Sequence, residues 1–167
     1  MPTPAIPLDE FDAEMATTRR LLARMPAEHA AWKPHPKSFA LGPLAQLVAA
    51  MPGWIGWTLR APVFDLERGE DAQGDGPMTG DTLVATLDEN VRHAREALAS
   101  VTGAALDETW TLKMGERVLM AMPRGAAVRQ HFMHFSHHRG QLTVYARMHD
   151  VKLPSIYGPT ADEPWQA

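Results

Sequence analysis

Four of the eight histidines in this 167-residue chain lie close together, within residues 131–138. The segment is predicted to be helical, and residues four apart on a helix lie one turn apart on the same face. His134 and His138 have this spacing, and two imidazoles so placed can bind one divalent metal ion. His137 is turned about 100° away from His138 and points elsewhere. The pattern therefore indicates a candidate metal site at His134 and His138.

His131 lies on the same helical face but is a poor third ligand. It is two turns from His138, about 10.5 Å along the helix axis, whereas metal–nitrogen bonds are about 2.1 Å long. Zinc and nickel sites usually have three or more protein ligands, so a third ligand should come from another helix. The alternative is a helix whose histidines only pack or face water. Buried imidazoles without bonding partners cost free energy, which favours a metal, but the pattern alone leaves both interpretations open.

The composition excludes several other kinds of site. The chain has no cysteine, so it has no disulfide, thiolate zinc site, iron–sulfur cluster or cysteine nucleophile. A net charge of −4 gives no basic surface for nucleic acid. The most apolar stretch, residues 41–59, contains prolines and glycine, and the N-terminal segment lacks the regions of a signal peptide. We therefore expect no nucleic-acid or membrane partner and a cytoplasmic location.

Hydrophobic periodicity predicts four helices that would position these histidines. Their expected bounds are residues 9–25, 42–60, 80–101 and 123–150. We expect Asp9 to cap the first helix and Thr79 or Asp81 to cap the third. Pro52 should kink or break the second helix, because proline removes a helical hydrogen bond. The acidic, Gly/Pro-rich segment 61–78 is expected to be a solvated loop.

A short strand-like segment separates the third and fourth helices. Residues 110–122 alternate between apolar and polar types around Gly115 and Glu116, which predicts a β-hairpin with glycine at the first central turn position. The tail, residues 151–167, contains three prolines and is expected to lie on the bundle as an ordered loop. Four amphipathic helices that bury their apolar faces together predict an all-α four-helix bundle, with one domain across residues 1–167.

Two segments resemble the DinB-like (DinB/YfiT) superfamily: WKPHPKSFALGPLAQLVAAMPGW at residues 32–54, and MPRGAAVRQHFMHFSHHRGQLTVYARMHDVKLPSIYGPTADE at residues 122–163. The resemblance covers nearly the whole chain and is most specific at HHRGQL, followed by YAR and IYGP. It implies a four-helix bundle of the up-down-down-up type, a homodimer and a metal site of three histidines. Two of the three correspond to His134 and His138. The third belongs to the second helix, at the position that Leu47 occupies here.

Leu47 thus replaces the ligand that the last helix cannot supply. Changes around metal ligands cost about 10- to 100-fold in affinity, and loss of a ligand should cost more. We therefore expect Zn²⁺ or Ni²⁺ to bind weakly or not at all. Trp54 and Trp57 are expected to be core or interface anchors. Arg139 would bind a carboxylate or, as we favour, form a salt bridge between helices. The side chains expected in the pocket or behind the ligands are His131, Arg139, Gln141 and Tyr145.

The sequence is compatible with two functions. Some families similar to this one are metal-dependent transferases or isomerases that use a low-molecular-weight thiol. A divalent metal can lower the pKa of such a thiol and present the thiolate to an electrophile. The chain would then be a transferase-like enzyme with a weakened site at His134 and His138. The alternative is a non-catalytic dimeric bundle that binds a small apolar ligand or acts in stress response.

Overall fold

The computed structural model describes residues 6–68 and 78–164. Four long helices and one short helix make up most of this part of the chain. A small sheet is formed by one strand after the second helix and a hairpin before the last helix. The helices are α1 (Leu8–Leu22), α2 (Leu41–Arg60), α3 (Gly80–Ser100), α4 (Gly103–Asp107) and α5 (Arg124–Arg147). The strands are β1 (Val63–Asp65), β2 (Thr109–Met114) and β3 (Arg117–Pro123). The expected all-α bundle with a hairpin between its third and last long helices is confirmed.

The helix ends show which capping predictions are correct. Thr79 caps α3, with its hydroxyl accepting from the Thr82 backbone N–H and the Thr82 hydroxyl accepting from the Thr79 N–H. The prediction that Asp9 caps α1 is wrong, because the helix already begins at Leu8 and Pro7 occupies the capping position. Asp9 lies in the first turn instead, where its charge interacts favourably with the helix dipole.

Helix α2 is the central element of the core, and it is buried almost all round. It packs against both α3 and α5. The helix is not broken at Pro52, contrary to one of the two outcomes expected there. Pro52 is itself buried in this helix, so the packing of its neighbours on both sides offsets the lost hydrogen bond.

The small sheet contains the predicted hairpin and one further strand, β1, in a segment that the sequence predicts to be a loop. The hairpin of β2 and β3 is confirmed, and Gly115 in its turn has φ +57°, a conformation that favours glycine. Segment 61–68 was expected to be loop, yet β1 pairs with β2 in parallel, with Phe64 opposite Leu112. The rest of the predicted acidic loop, residues 69–77, lies outside the described residues.

Asp65 fastens β1 to the hairpin. One carboxylate oxygen accepts from the backbone N–H groups of Glu67 and Gly115, at 3.1 and 3.0 Å, and the other lies 3.4 Å from Lys113 Nζ. These contacts, the Gly115 hydrogen bond above all, hold the pKa of Asp65 below its usual value. The buried Asp65 carboxylate thus adds contacts that stabilise the short strand β1.

The tail lies on the bundle as an ordered loop through residue 164, as expected, and residues 165–167 are outside the described part. Glu163 pairs with Arg20 of α1 and with Arg24 in the turn that follows α1, and Asp162 pairs with Arg147 of α5. Glu163 also accepts from the Ser155 N–H, and together these contacts lower its pKa to about 2.

None of the helices in residues 6–68 and 78–164 combines the length and the apolar character needed to cross a bilayer.

Candidate metal site and adjoining pocket

His134 and His138 point toward each other on successive turns of α5. Their Nε2 atoms lie 2.8 Å apart, and their ring centroids lie 4.6 Å apart. His138 is buried and His134 is exposed, so the pair opens to solvent on one side. Phe39 packs edge-on against the His138 ring, and Trp54 packs against the His134 ring. The helical spacing therefore brings both nitrogens to one point at the edge of the bundle.

Gln141 fixes the orientation of His138. Its Oε1 lies 2.8 Å from His138 Nδ1, and an amide oxygen can only accept, so Nδ1 carries the proton. His138 Nε2 then has a free lone pair, to which His134 Nε2–H donates when both rings are neutral. A metal ligand with its other ring nitrogen bonded in this way is held in the correct tautomer. Gln141 would therefore support His138 as a ligand if the pair held a metal.

The donor set does not complete the three-histidine site that the resemblance implies. Leu47 is buried among the apolar core residues, and its side chain has no donor atom. Within the described residues, no group of three or more His, Cys, Asp or Glu side chains is arranged to hold a metal ion. The chain therefore offers two imidazole nitrogens, which is fewer than a stable zinc or nickel site usually has.

His131 is part of a neighbouring pocket wall and is not the third member of the pair. Its Nε2 lies 3.1 Å from Thr58 Oγ1 on α2. Trp54 and Trp110 both contact its ring edge-on, at centroid distances of 5.9 and 5.5 Å. Burial lowers the pKa of His131 to about 4, with a smaller contribution from His134. The ring is therefore uncharged at neutral pH.

The other two sequence-predicted residues lie in other contacts. The Arg139 guanidinium is buried and pairs with Glu14 of α1 at 2.5 Å. It also donates to the Thr18 hydroxyl and the Tyr157 hydroxyl, so it forms the salt bridge between helices that we favoured. Tyr145 packs edge-on against Trp32, whose other edge contact is with His149. Neither Arg139 nor Tyr145 lines the pocket beside His134.

The pocket is a cavity of about 310 Å³ enclosed by α2, α5 and the sheet. Its aromatic walls are Trp54, Trp57, Phe64 and Trp110, and His131 and His134 border it from α5. Trp57 and Phe64 are stacked at 5.4 Å with an angle of 16° between their planes. None of the lining residues within 6–68 and 78–164 is Asp, Glu, Lys or Arg.

Sequence reasoning missed this pocket and assigned Trp54 and Trp57 to the core or an interface. Trp54, Trp57 and Thr58 have the 3- and 4-residue spacing of one helical face, which is the signal that could have grouped them. Nothing in the spacing, however, indicated that β1 and β2 close the other side.

Comparisons with known proteins agree with this architecture. Two solved structures superpose on most of the chain, both described as crystal structures of DinB-like proteins. YjoA from Bacillus subtilis has a TM-score of 0.69 and 17% identity, over 89% of this chain and 96% of its own. The protein from Bacillus cereus ATCC 10987 has a TM-score of 0.70 and 21% identity, over 90% of this chain and 95% of its own.

This chain has the DinB-like fold. The structural part of the resemblance is thus confirmed. No family model matches the chain. The uncharacterized protein YrdA of Bacillus subtilis (strain 168) is 29% identical over 115 residues, which cover 66% of this chain and 68% of YrdA.

Proposed function

We propose that this DinB-like chain works by binding a small apolar molecule in the pocket beside His134. The observation that carries the proposal is the cavity itself, which four aromatic side chains enclose next to two histidines. Concave sites with mainly apolar walls and a few polar groups are where proteins bind small ligands. The pocket has this composition, because Thr58, Gln130 and the two histidines are its polar members.

The incomplete set of metal ligands favours a binding function over metal-dependent catalysis. Leu47 removes the ligand that a three-histidine site needs, whereas the pocket walls are complete without a metal. Ligand binding then depends on buried apolar area and shape, which the four aromatic rings provide.

A neutral fluorescent probe, N-phenyl-1-naphthylamine, tests the proposal. We expect its emission to rise on binding, with a Kd of about 10 μM or tighter. Leu112→Trp fills the pocket from β2 and should abolish the signal, whereas Leu119→Trp places the same side chain on β3 at a position that does not line the pocket. If wild type gives no signal, or if both variants bind the probe like wild type, the proposal is wrong.

The second candidate is a metal-dependent, thiol-using transferase, and the Gln141–His138–His134 arrangement favours it. His134 and His138 would hold the metal, which would lower the pKa of a bound thiol. Elemental analysis of untagged protein, followed by titration with Ni²⁺ and Zn²⁺, tests this candidate. Failure to retain or take up either metal rules it out.

We also propose the homodimer that the resemblance implies. Met133 and Val144 are exposed on one side of α5, and Met148, the exposed residue directly after the helix, continues the same spacing. Light scattering of wild type and Val144→Lys would test it: a dimeric wild type that the lysine dissociates supports the proposal, and a monomeric wild type refutes it.

A further inference from the structure

If the pocket binds a ligand, as proposed above, the residues that line it restrict the chemical class of that ligand. Among the described residues its lining contains no acidic residue, lysine or arginine, so an ionic ligand would lose its hydration without gaining a counter-charge from them. Arg139, a buried cation of α5, does not line the pocket and is already paired with Glu14. An uncharged ligand is therefore favoured over an anion or a cation.

The walls favour a flat aromatic ring. Trp57 and Phe64 form one stacked pair, while Trp54 and Trp110 stand edge-on around His131. Aromatic rings prefer offset-stacked or edge-to-face partners, and all four of these rings line this cavity. A cavity of about 310 Å³ has room for a molecule of two or three rings.

Trp110 lines the pocket, and its polar atom lies behind the pocket surface without a partner among the described residues. Trp110 is only 3% exposed, and its indole Nε1–H is buried with no hydrogen-bond acceptor among the described residues. Buried polar groups are nearly always bonded, and the indole N–H can only donate. The group that satisfies it must be an acceptor, such as an ether, carbonyl or phenolic oxygen. Because the N–H is covered, ligand entry requires the side-chain adjustments that are common on binding.

We propose that the pocket selects an uncharged, planar aromatic molecule with an oxygen acceptor, and that Trp110 donates its indole N–H to that oxygen. The specificity has two independent parts. The uncharged lining rejects ions, and Trp110 distinguishes a ligand with an acceptor from one of the same shape without it.

Three probes of similar shape separate these parts when they displace N-phenyl-1-naphthylamine from the wild-type protein. 2-Methoxynaphthalene is neutral and has an acceptor oxygen, 2-ethylnaphthalene is neutral and has none, and 2-naphthoate is an anion. We expect the methoxy compound to bind about fivefold more tightly than the ethyl compound, because it satisfies the N–H. We expect naphthoate to bind about a hundredfold more weakly than the methoxy compound, because its charge is buried unpaired.

Trp110→Phe should abolish the preference for methoxy over ethyl while leaving the preference against naphthoate. Trp32→Phe is the matched control, because Trp32 contacts Tyr145 and His149 and does not line the pocket; it should leave both preferences unchanged. If Trp110→Phe does not fold, the indole N–H proton resonances of wild type give the same information. One indole signal should move downfield with 2-methoxynaphthalene and not with 2-ethylnaphthalene.

The outcomes separate this inference from the proposed function. If N-phenyl-1-naphthylamine does not bind, the pocket is not a ligand site and both fail. If it binds but naphthoate competes as well as the methoxy compound, or the methoxy and ethyl compounds bind equally, the inference alone is overturned. A preference for methoxy that survives Trp110→Phe overturns the role of Trp110.

Discussion

The imidazole of His131 and the hydroxyl of Thr58 form a 3.1 Å hydrogen bond that joins α5 to α2 beside the pocket. Thr58 is almost fully buried, and two tryptophan rings enclose the imidazole. The contact therefore has a structural role in the pocket wall. Because the imidazole is buried there, its charged form is disfavoured.

Acid should destabilise the protein through His131. Its pKa is about 4 in the folded chain against about 6.5 for an unperturbed histidine, so the unfolded chain takes up a proton first as the pH falls. This contribution to stability is fully present above about pH 6.5 and is lost as the pH falls toward 4, up to about 3 kcal/mol. Urea unfolding between about pH 7 and pH 5 measures the loss as a falling free energy of unfolding.

His131→Gln removes the titration and keeps a group that can bond Thr58, so its free energy of unfolding should vary less over the same interval. His35 is exposed, and His35→Gln should retain the wild-type slope. An equal slope in wild type and His131→Gln would contradict the assignment.

Leu47→His should restore metal binding. A third imidazole from α2 would complete the set that His134 and His138 begin, and affinity for Ni²⁺ or Zn²⁺ should rise about a hundredfold or more. Metal titration by calorimetry measures the gain, and the variant should also melt at a higher temperature with metal than without it. Adding His138→Gln to the variant should remove the gain. A Leu47→His protein that folds but binds metal no better than wild type would show that position 47 does not face the pair.

The elements of this fold were largely readable from local patterns, whereas the pocket was not. The long helices follow from their apolar periodicity, and Thr79 and Gly115 signal a cap and a turn within their own segments. Strand β1 was missed because it has three residues and is stabilised by distant partners, through Asp65 and the parallel pairing to β2.

The candidate site also has one part that local spacing predicts and one part that it does not. His134, His138 and Gln141 share one helix, so their spacing predicted their geometry. The bond of His131 to Thr58 joins residues 73 positions apart, and Trp110 approaches His131 from the sheet. No local spacing contains those contacts, because they depend on how α2, α5 and the hairpin pack.

Arg139→Met should be among the most destabilising single changes on α5. The guanidinium is 1% exposed, pairs with Glu14, and lies 5.2 Å from the ring centroids of both Phe135 and Tyr157. Its loss leaves the half-buried Glu14 carboxylate without its partner, and breaking buried pairs costs about 3–5 kcal/mol. Chemical denaturation of Arg139→Met, Glu14→Gln and the double variant should show strong coupling between the two positions. Additive effects would mean that the pair contributes little.

Asp65→Ala should weaken ligand binding without touching the ligand. Asp65 lies between Phe64 and Leu66, which both line the pocket, and its carboxylate holds the Gly115 and Glu67 N–H groups in place. Without it, those donors and Lys113 lose their acceptor, which should lower the free energy of unfolding. The pocket wall formed by β1 should then loosen, and N-phenyl-1-naphthylamine should bind about tenfold more weakly, since pre-organised walls spare the ligand an ordering cost.

Glu116→Ala, an exposed change in the same hairpin turn, should leave both the stability and the affinity for the probe unchanged. Asp65→Ala protein that is destabilised yet binds the probe with wild-type affinity would show that β1 is not needed as a pocket wall.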